Sequence, residues 1–177
     1  MKCLFALVLF TALQRTGAPE IRIPDLERRV HDLVNKERMK KKETALRFDD
    51  ALARIARAHS ADMAKRKFFS HVNPEKKNAT DRGKAAGYIC RKVYAGGYTE
   101  GLAENIYQST LYSRIRITGS ERSYDWYSPE EIAEEAVDGW MHSEGHRKNI
   151  LGKNYDRAGV GIAIGTDDKV FVTQVFC

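Results

Sequence analysis

Residues 159–176 read GVGIAIGTDDKVFVTQVF, and this stretch decides the fold class. Two alternating runs, 159–164 and 169–176, flank the turn residues Gly165-Thr166-Asp167-Asp168. Alternation of this kind is typical of strands, and a short Gly- and Asp-containing connection is typical of a β-hairpin. Gly159 and Gly161 are expected to allow close strand packing. We therefore expect an antiparallel strand pair over residues 159–176.

The residues before this hairpin show helical periodicity instead. Apolar residues at helical spacing predict one helix over residues 25–42 and a second from Asp49-Asp50 to about Phe68. Ser128-Pro129-Glu130-Glu131 predicts another helix start, with a capping serine, a proline at the first position and acids in the first turn. Helices combined with an antiparallel pair indicate an α+β domain in which helices pack on a small sheet.

The middle of the chain is less regular. Glycines punctuate residues 70–101, which are interpreted as loop apart from a short helix near residues 80–86. Residues 103–109 fit a strand or a short helical turn. Residues 111–128 alternate in part around Thr118-Gly119-Ser120, which could turn a second hairpin.

The composition is that of a folded domain with an uneven charge. Of 177 residues, 42% are hydrophobic and 31% are charged, which excludes a disordered chain, a collagen-like repeat and a multi-span membrane protein. Residues 19–92 carry 20 basic and 11 acidic side chains, whereas residues 93–177 carry 8 and 13. A basic face can attract anionic lipid or cell-wall polymer, although an ordinary solvated surface explains the charge as well. No nucleic-acid-binding motif accompanies the basic runs, so we expect no nucleic-acid partner.

Residues 1–18, MKCLFALVLFTALQRTGA, have the pattern of a signal peptide. Lys2 precedes an apolar run over residues 3–13, and small residues follow at 16–18. The apolar run is too short to cross a bilayer comfortably, which favours a secretory leader over a membrane-spanning helix.

The cleavage position stays open. Pro19 would hinder cleavage directly before it, so processing after Ala12 and retention of residues 3–13 as a tether are both alternatives. We expect residues 1–18 to direct export and residues 19–177 to form one domain that acts outside the cell or at its surface.

Outside the leader the chain has two cysteines, Cys90 and Cys177. A pair of cysteines in an exported protein can form a disulfide. Two buried thiols explain the sequence equally well at this point.

Five histidines are candidates for chemistry: His31, His59, His71, His142 and His146. The first two lie inside amphipathic helices and are interpreted as structural or surface residues. His71 follows the second helix, in a loop of the kind that often presents functional groups. The last two are four residues apart, but the acid is misplaced for the H-E-x-x-H pattern and Gly145 is expected to break the helix.

Five short motifs occur in order along the chain: Phe69-Ser70-His71, Ala103-Glu104-Asn105-Ile106, Trp140-x-x-Ser143-x-Gly145-His146-Arg147-x-Asn149-Ile150-Leu151, Gly159-Val160-Gly161 and Thr173-Gln174-Val175-Phe176. This ordered set resembles the CAP superfamily, also called SCP-like proteins. The compact third motif and the few cysteines resemble its prokaryotic members. The resemblance covers roughly residues 25–177 and implies an α-β-α sandwich, with a small antiparallel sheet between helical layers.

The resemblance also implies a cavity lined by two histidines and two acids, which in some family members binds zinc or another divalent cation. The two histidines fall on His71 and His146, and the first acid falls on Glu104. The position of the second acid is Ser143 in this chain, so Glu144, one residue later, is the second-acid candidate. Two imidazoles and a carboxylate can hold zinc with an open position for water, and Glu104 could act as a base toward that water. A buried hydrogen-bonded network without metal is the alternative.

These observations leave three hypotheses for function. The first is an exported, monomeric binding or interaction module for an extracellular protein, a lipid or a cell-wall ligand. The second is a metal-dependent peptidase that uses the same cavity, with Glu104 as the catalytic candidate. The third is a structural protein tethered to the membrane by residues 3–13.

Overall fold

The computed structural model describes residues 17–177, so residues 1–16 of the predicted signal peptide lie outside the described residues. The strands are β1 (Arg47–Phe48), β2 (Arg91–Tyr94), β3 (Gly97–Glu100), β4 (Ala103–Thr110), β5 (Tyr112–Thr118), β6 (Glu121–Trp126), β7 (Arg157–Ile164) and β8 (Lys169–Phe176). The helices are α1 (Ile23–Lys40), α2 (Asp50–Arg66), α3 (Ala79–Ala85), α4 (Pro129–His142) and α5 (Glu144–Ile150). None of these helices is both long and apolar enough to span a membrane.

A four-stranded sheet forms the centre of the domain, in the order β1-β7-β8-β4. β8 pairs antiparallel with both β7 and β4, and the short β1 runs parallel to β7. The predicted hairpin over residues 159–176 is therefore confirmed as the middle of the sheet. Residues 103–109, which fitted either a strand or a short helical turn, lie in strand β4 at the edge of the sheet.

Helices cover both faces of this sheet. On one face α2 packs across β7 and β8, where Leu52 and Ala56 join Val175 in a buried cluster. On the other face α1, α4 and α5 supply Val30, Trp140 and other residues to the main core. The α-β-α sandwich implied by the resemblance is confirmed.

The helix starts follow from their capping residues. The Asp49 carboxylate accepts hydrogen bonds from the backbone N–H groups of Ala51 and Leu52 at the start of α2. At α4, the Ser128 hydroxyl accepts from the Glu131 N–H, and the Glu131 carboxylate accepts from the Ser128 N–H. These reciprocal bonds satisfy helix donors that have no partner within the helix.

Glycines on β7 set the distance between this strand and α2. A Cβ placed on Gly159 would lie 2.1 Å from the backbone nitrogen of Ala53, and one on Gly161 would lie 1.9 Å from that of Arg57. Both distances are far below van der Waals contact. The two glycines therefore allow the backbone of α2 to rest directly on the backbone of β7. The close packing expected at these glycines is thus between a strand and a helix.

The prediction of a loop over residues 70–101 was wrong in part. Residues 91–94 and 97–100 form the β2–β3 hairpin, which the sequence analysis assigned to loop. All four β3 side chains and three of the four on β2 are exposed. Because the hairpin buries neither face, the apolar-polar alternation that identifies a half-buried strand is missing.

The two cysteines of the domain form a disulfide. Cys90, which follows α3, is joined to Cys177 at the end of β8, with Cα atoms 5.6 Å apart. This result settles the question that the sequence left open. The bond ties the segment between α3 and β2 to the central sheet.

Arg38 lies in the basic run 36–42 but is buried rather than displayed on the surface. Its guanidinium donates to the carbonyl oxygens of Thr44, Ile150 and Gly152 at 2.6–2.9 Å. The side chain therefore fixes the end of α5 against α1, and it does not contribute to a basic face.

Candidate functional site

Glu104 is the centre of a polar cluster at the edge of the sheet. It is the second residue of β4, opposite Val175 of β8, and its side chain is only 4% exposed. One carboxylate oxygen accepts a hydrogen bond from His71 Nδ1 at 2.9 Å. The other accepts from the Arg82 guanidinium, a nearly buried side chain on α3. This buried carboxylate is thus bonded on both oxygens.

Arg82 also holds the loop that carries His71. Its Nη1 donates to the carbonyl oxygens of His71 and Lys77, at 3.0 and 2.8 Å. The His71 side chain remains half exposed, at 50%. One guanidinium therefore neutralises Glu104 and orders the segment between α2 and α3.

His146 reaches the same cluster from α5. Its ring centroid lies 5.9 Å from that of His71. Burial lowers the pKa of His146, and the neighbouring His71 lowers it further. The lowered pKa favours the neutral ring, in which one nitrogen can accept a proton or bind a cation.

The helix break that places His146 lies two residues earlier than expected. The backbone of Ser143 is extended (φ −97°, ψ 123°), and this residue separates α4 from α5. Gly145 lies within α5, so the prediction that it breaks the helix was wrong. His142 consequently stays on α4, exposed beside Asp138 at 3.2 Å, and is not part of the cluster.

Two asparagines fix α5 against β4. The Asn149 amide donates to the Glu104 carbonyl at 3.1 Å and to Asn105 Oδ1 at 2.9 Å. The Asn105 amide in turn donates to the His146 carbonyl at 3.2 Å. Both side chains bond backbone carbonyl groups. They set the distance between His146 and Glu104.

His59 was missed as a neighbour of this cluster. It is completely buried on α2, its Nε2 donates to the Ser70 carbonyl at 3.0 Å, and it lies 4.0 Å from a Glu104 oxygen. Burial lowers the pKa of His59, although the Glu104 carboxylate opposes this shift. Arg82 was missed as well, since no motif marks it. Only the tertiary structure brings α2 and α3 to the edge of β4.

Glu144, the second-acid candidate, does not join the others. It is exposed in the first turn of α5, and no hydrogen bond or ion pair connects it to His71, Glu104 or His146 in the described part of the chain. The structure thus brings together three of the four predicted site residues. Within residues 17–177, no set of three or more His, Cys, Asp or Glu side chains is arranged as a metal site.

A surface cavity of about 350 Å³ opens beside His71 and Glu104. Residues of α3 and of the segment before β4 complete its lining: Asn78, Ala79, Thr80 and Leu102. A volume of this size matches the lower range of small-ligand pockets. The cluster therefore lies next to space that a small molecule or a peptide side chain can enter.

Removing the Glu104 carboxylate is expected to destabilise the domain. Glu104→Ala would leave the Arg82 guanidinium without its carboxylate in a nearly buried position, and breaking a buried pair in this way typically costs about 3–5 kcal/mol. Urea unfolding followed by circular dichroism measures the change. Glu75→Ala is the matched control, because Glu75 also pairs with an arginine, Arg66, but on the surface. Equal losses of unfolding free energy in both variants would contradict the assignment of Glu104 as a buried anchor.

The comparisons with known proteins agree with this geometry. The model of the CAP family, described as the cysteine-rich secretory protein family, matches residues 31–176. The chain belongs to the CAP family. Its sequence is 33% identical over 146 residues to the uncharacterized protein YkwD of Bacillus subtilis strain 168, an alignment that covers 82% of this chain and 45% of YkwD.

Solved structures show the same CAP fold. An extracellular protein containing an SCP domain from Bacillus anthracis matches with a TM-score of 0.61 and 27% identity, over 87% of this chain and 40% of that protein. The crystal structure of NaASP2 with Zn²⁺ matches with a TM-score of 0.55 and 13% identity, over 90% of this chain and 83% of the other. This CAP chain thus spans less than half the length of these two Bacillus proteins.

Proposed function

We propose that this CAP domain is an exported binding module whose ligand site is the pair His71 and His146, and that a divalent cation such as zinc binds there. The observation that carries the proposal is the hydrogen bond from His71 Nδ1 to Glu104. In the neutral ring, a carboxylate that accepts from Nδ1 favours the tautomer with the proton on that nitrogen, so Nε2 is the nitrogen available to a cation. His71 is thereby prepared as a ligand.

His146 provides the second nitrogen. Its lowered pKa keeps the ring neutral, which metal binding requires. Glu104 fits the role of an orienting group rather than that of a ligand, because Arg82 and His71 already engage both of its oxygens. This assignment modifies the ligand set of two histidines and Glu104 that the resemblance implied.

A site with two protein ligands binds its cation weakly. Structural zinc sites use four protein ligands and catalytic sites use three, so the remaining positions here would be filled by water or by a group from a partner. When bound, the cation would supply a Lewis-acidic centre for an incoming carboxylate or phosphate. The zinc-containing structure of NaASP2 supports zinc as the first cation to test.

Export of the domain is part of the same proposal. The leader pattern in residues 1–18 supports it, and so does the description of the relative from Bacillus anthracis as an extracellular protein. The partner would then be an extracellular protein, a lipid or a cell-wall ligand. Anionic groups on any of these could complete the coordination of a cation held by two histidines.

The peptidase alternative has less support from the geometry. A general base must be free to take a proton from the attacking water. The Glu104 carboxylate is instead held by a guanidinium and an imidazole, and Glu144 lies outside the cluster. The arrangement favours binding over proton transfer.

Equilibrium dialysis of the full chain against zinc tests the proposal. We expect about one zinc per chain, weakly held, and loss of that zinc in both His71→Ala and His146→Ala. Glu104→Gln, in which the orienting carboxylate is lost, should weaken binding roughly 10- to 100-fold. His142→Ala is the control, since His142 is exposed and lies outside the cluster. Absence of binding in the folded wild type, or equal loss in the control, would overturn the proposal.

A further inference from the structure

The β5–β6 hairpin forms a two-stranded sheet that is separate from the central sheet. Its base packs on the main core through Trp126, whereas the residues nearer the turn are exposed. The seven residues of β5 give it a length of roughly 20 Å. Isolated hairpins are marginal in water, so a hairpin of this length without a covering element suggests a contact surface.

One face of this hairpin is apolar. The register pairs Tyr112 with Trp126 and Ile115 with Tyr124, so these side chains share a face with Ile117. The two isoleucines, nearer the turn, are 39% and 67% exposed. The three aromatic rings lie nearer the base, where Tyr124 stacks on Trp126 at 4.7 Å and Tyr112 contacts both. The face therefore changes from aliphatic at the tip to aromatic at the base.

Unpaired positive charge accompanies the apolar face. Arg122 lies on this face opposite Ile117, and Arg114 lies on the reverse side. Neither arginine has an acidic partner among the described residues. Arg116, in contrast, is paired with Asp125 at 2.7 Å. Two arginines are thus free to meet anionic groups.

The base of the hairpin lies beside Gly17, the first described residue. A Cβ on Gly17 would be 3.9 Å from the Trp126 ring. The chain that precedes Gly17 is therefore attached at the aromatic end of the apolar face.

We propose that the β5–β6 hairpin docks on an anionic lipid bilayer. Ile115 and Ile117 enter the acyl region, since apolar surface gains free energy on leaving water. Tyr112, Tyr124 and Trp126 lie at the headgroup level, where amphipathic aromatic rings are enriched. Arg122, opposite Ile117 on the same face, keeps its aliphatic stem beside the isoleucines and extends its guanidinium to anionic headgroups. The hairpin begins after β4, at the opposite end of that strand from Glu104, so this proposal does not depend on the cation site.

The two tryptophans of the chain allow a direct test with the full-length protein. Trp140 is fully buried in the core, whereas Trp126 is partly buried at the base of the hairpin. With phosphatidylcholine–phosphatidylglycerol vesicles that carry brominated acyl chains, we expect quenching of Trp126 fluorescence. We expect much less with phosphatidylcholine alone. Because Gly17 lies beside Trp126, attachment through residues 3–13 would also bring this ring near the lipid. A hairpin variant that keeps residues 3–13 therefore distinguishes the two modes of attachment.

The double variant Ile115→Ser/Ile117→Ser sharpens the test. Each isoleucine removed from the bilayer should lower the apparent affinity at least roughly tenfold, given about 1.5–3 kcal/mol for burying such a side chain. Val93→Ser is the control, because Val93 is 79% exposed on the other hairpin. Unchanged vesicle binding in the double variant, or Trp126 fluorescence unaffected by brominated lipid, would overturn the proposal. Self-association that the double variant abolishes, without vesicle binding, would overturn it in favour of a protein partner.

Discussion

Replacing Gly161 with alanine is expected to separate α2 from the sheet and to lower the free energy of unfolding by about 3 kcal/mol or more, the upper range for overpacking. The new methyl group would lie 1.9 Å from the Arg57 nitrogen and 2.5 Å from its Cα. Both atoms are backbone, so no side-chain rotation can relieve the overlap. The helix would have to move as a unit, away from the sheet that it covers. Urea denaturation monitored by circular dichroism measures the loss.

Gly145→Ala is the matched control for this variant. Nothing lies within 4 Å of a Cβ at Gly145, and the residue is inside α5, where alanine favours the helix by about 1 kcal/mol over glycine. We expect this control to be neutral or stabilising. If Gly161→Ala were as stable as Gly145→Ala, α2 would not rest on β7 at the distance described.

Removing the disulfide should have an effect of similar size. Cys90 and Cys177 are 87 residues apart, and a cross-link over a loop of that length is expected to contribute about 4–5 kcal/mol in the chain-entropy description. Cys90→Ala/Cys177→Ala should therefore unfold at a much lower urea concentration than the wild type. Cys3→Ala, which leaves the bond intact, should lose much less unfolding free energy. The same comparison under reducing conditions should bring the wild type close to the double variant. A stability difference below about 1 kcal/mol would contradict the expected contribution of this bond.

Local rules recovered much of the fold. Features that depend on residues a few positions apart could be predicted from the sequence. They are the Ser128 capping box, the Asp49 cap and the turn between β7 and β8. The β2–β3 hairpin was missed because its side chains are exposed on both faces and carry no burial pattern. The helix break was assigned to Gly145, although a non-glycine residue, Ser143, forms it.

The candidate site was only partly predictable. The family motifs identified His71, Glu104 and His146, and the structure brings these three together. Arg82 and His59 reach Glu104 through the packing of α3 and α2 on the edge of β4, which no local pattern encodes. Glu144 was chosen for its place in the sequence, but the turn of α5 directs it to solvent. The hydrogen bonds of Glu104 to His71 and Arg82 therefore indicate an orienting group rather than a metal ligand.

Glu104 is proposed to prepare His71, together with His146, to bind a cation. Long-range ¹H–¹⁵N NMR of the five imidazoles during a zinc titration tests this preparation. We predict a proton on His71 Nδ1 before zinc is added, and the largest zinc-dependent shifts at His71 and His146. His142, exposed and outside the cluster, should be unaffected, whereas His59, 4.0 Å from a Glu104 oxygen, should shift less than His71 and His146. A proton on His71 Nε2, or zinc-dependent shifts that include His142 and omit His146, would contradict this assignment.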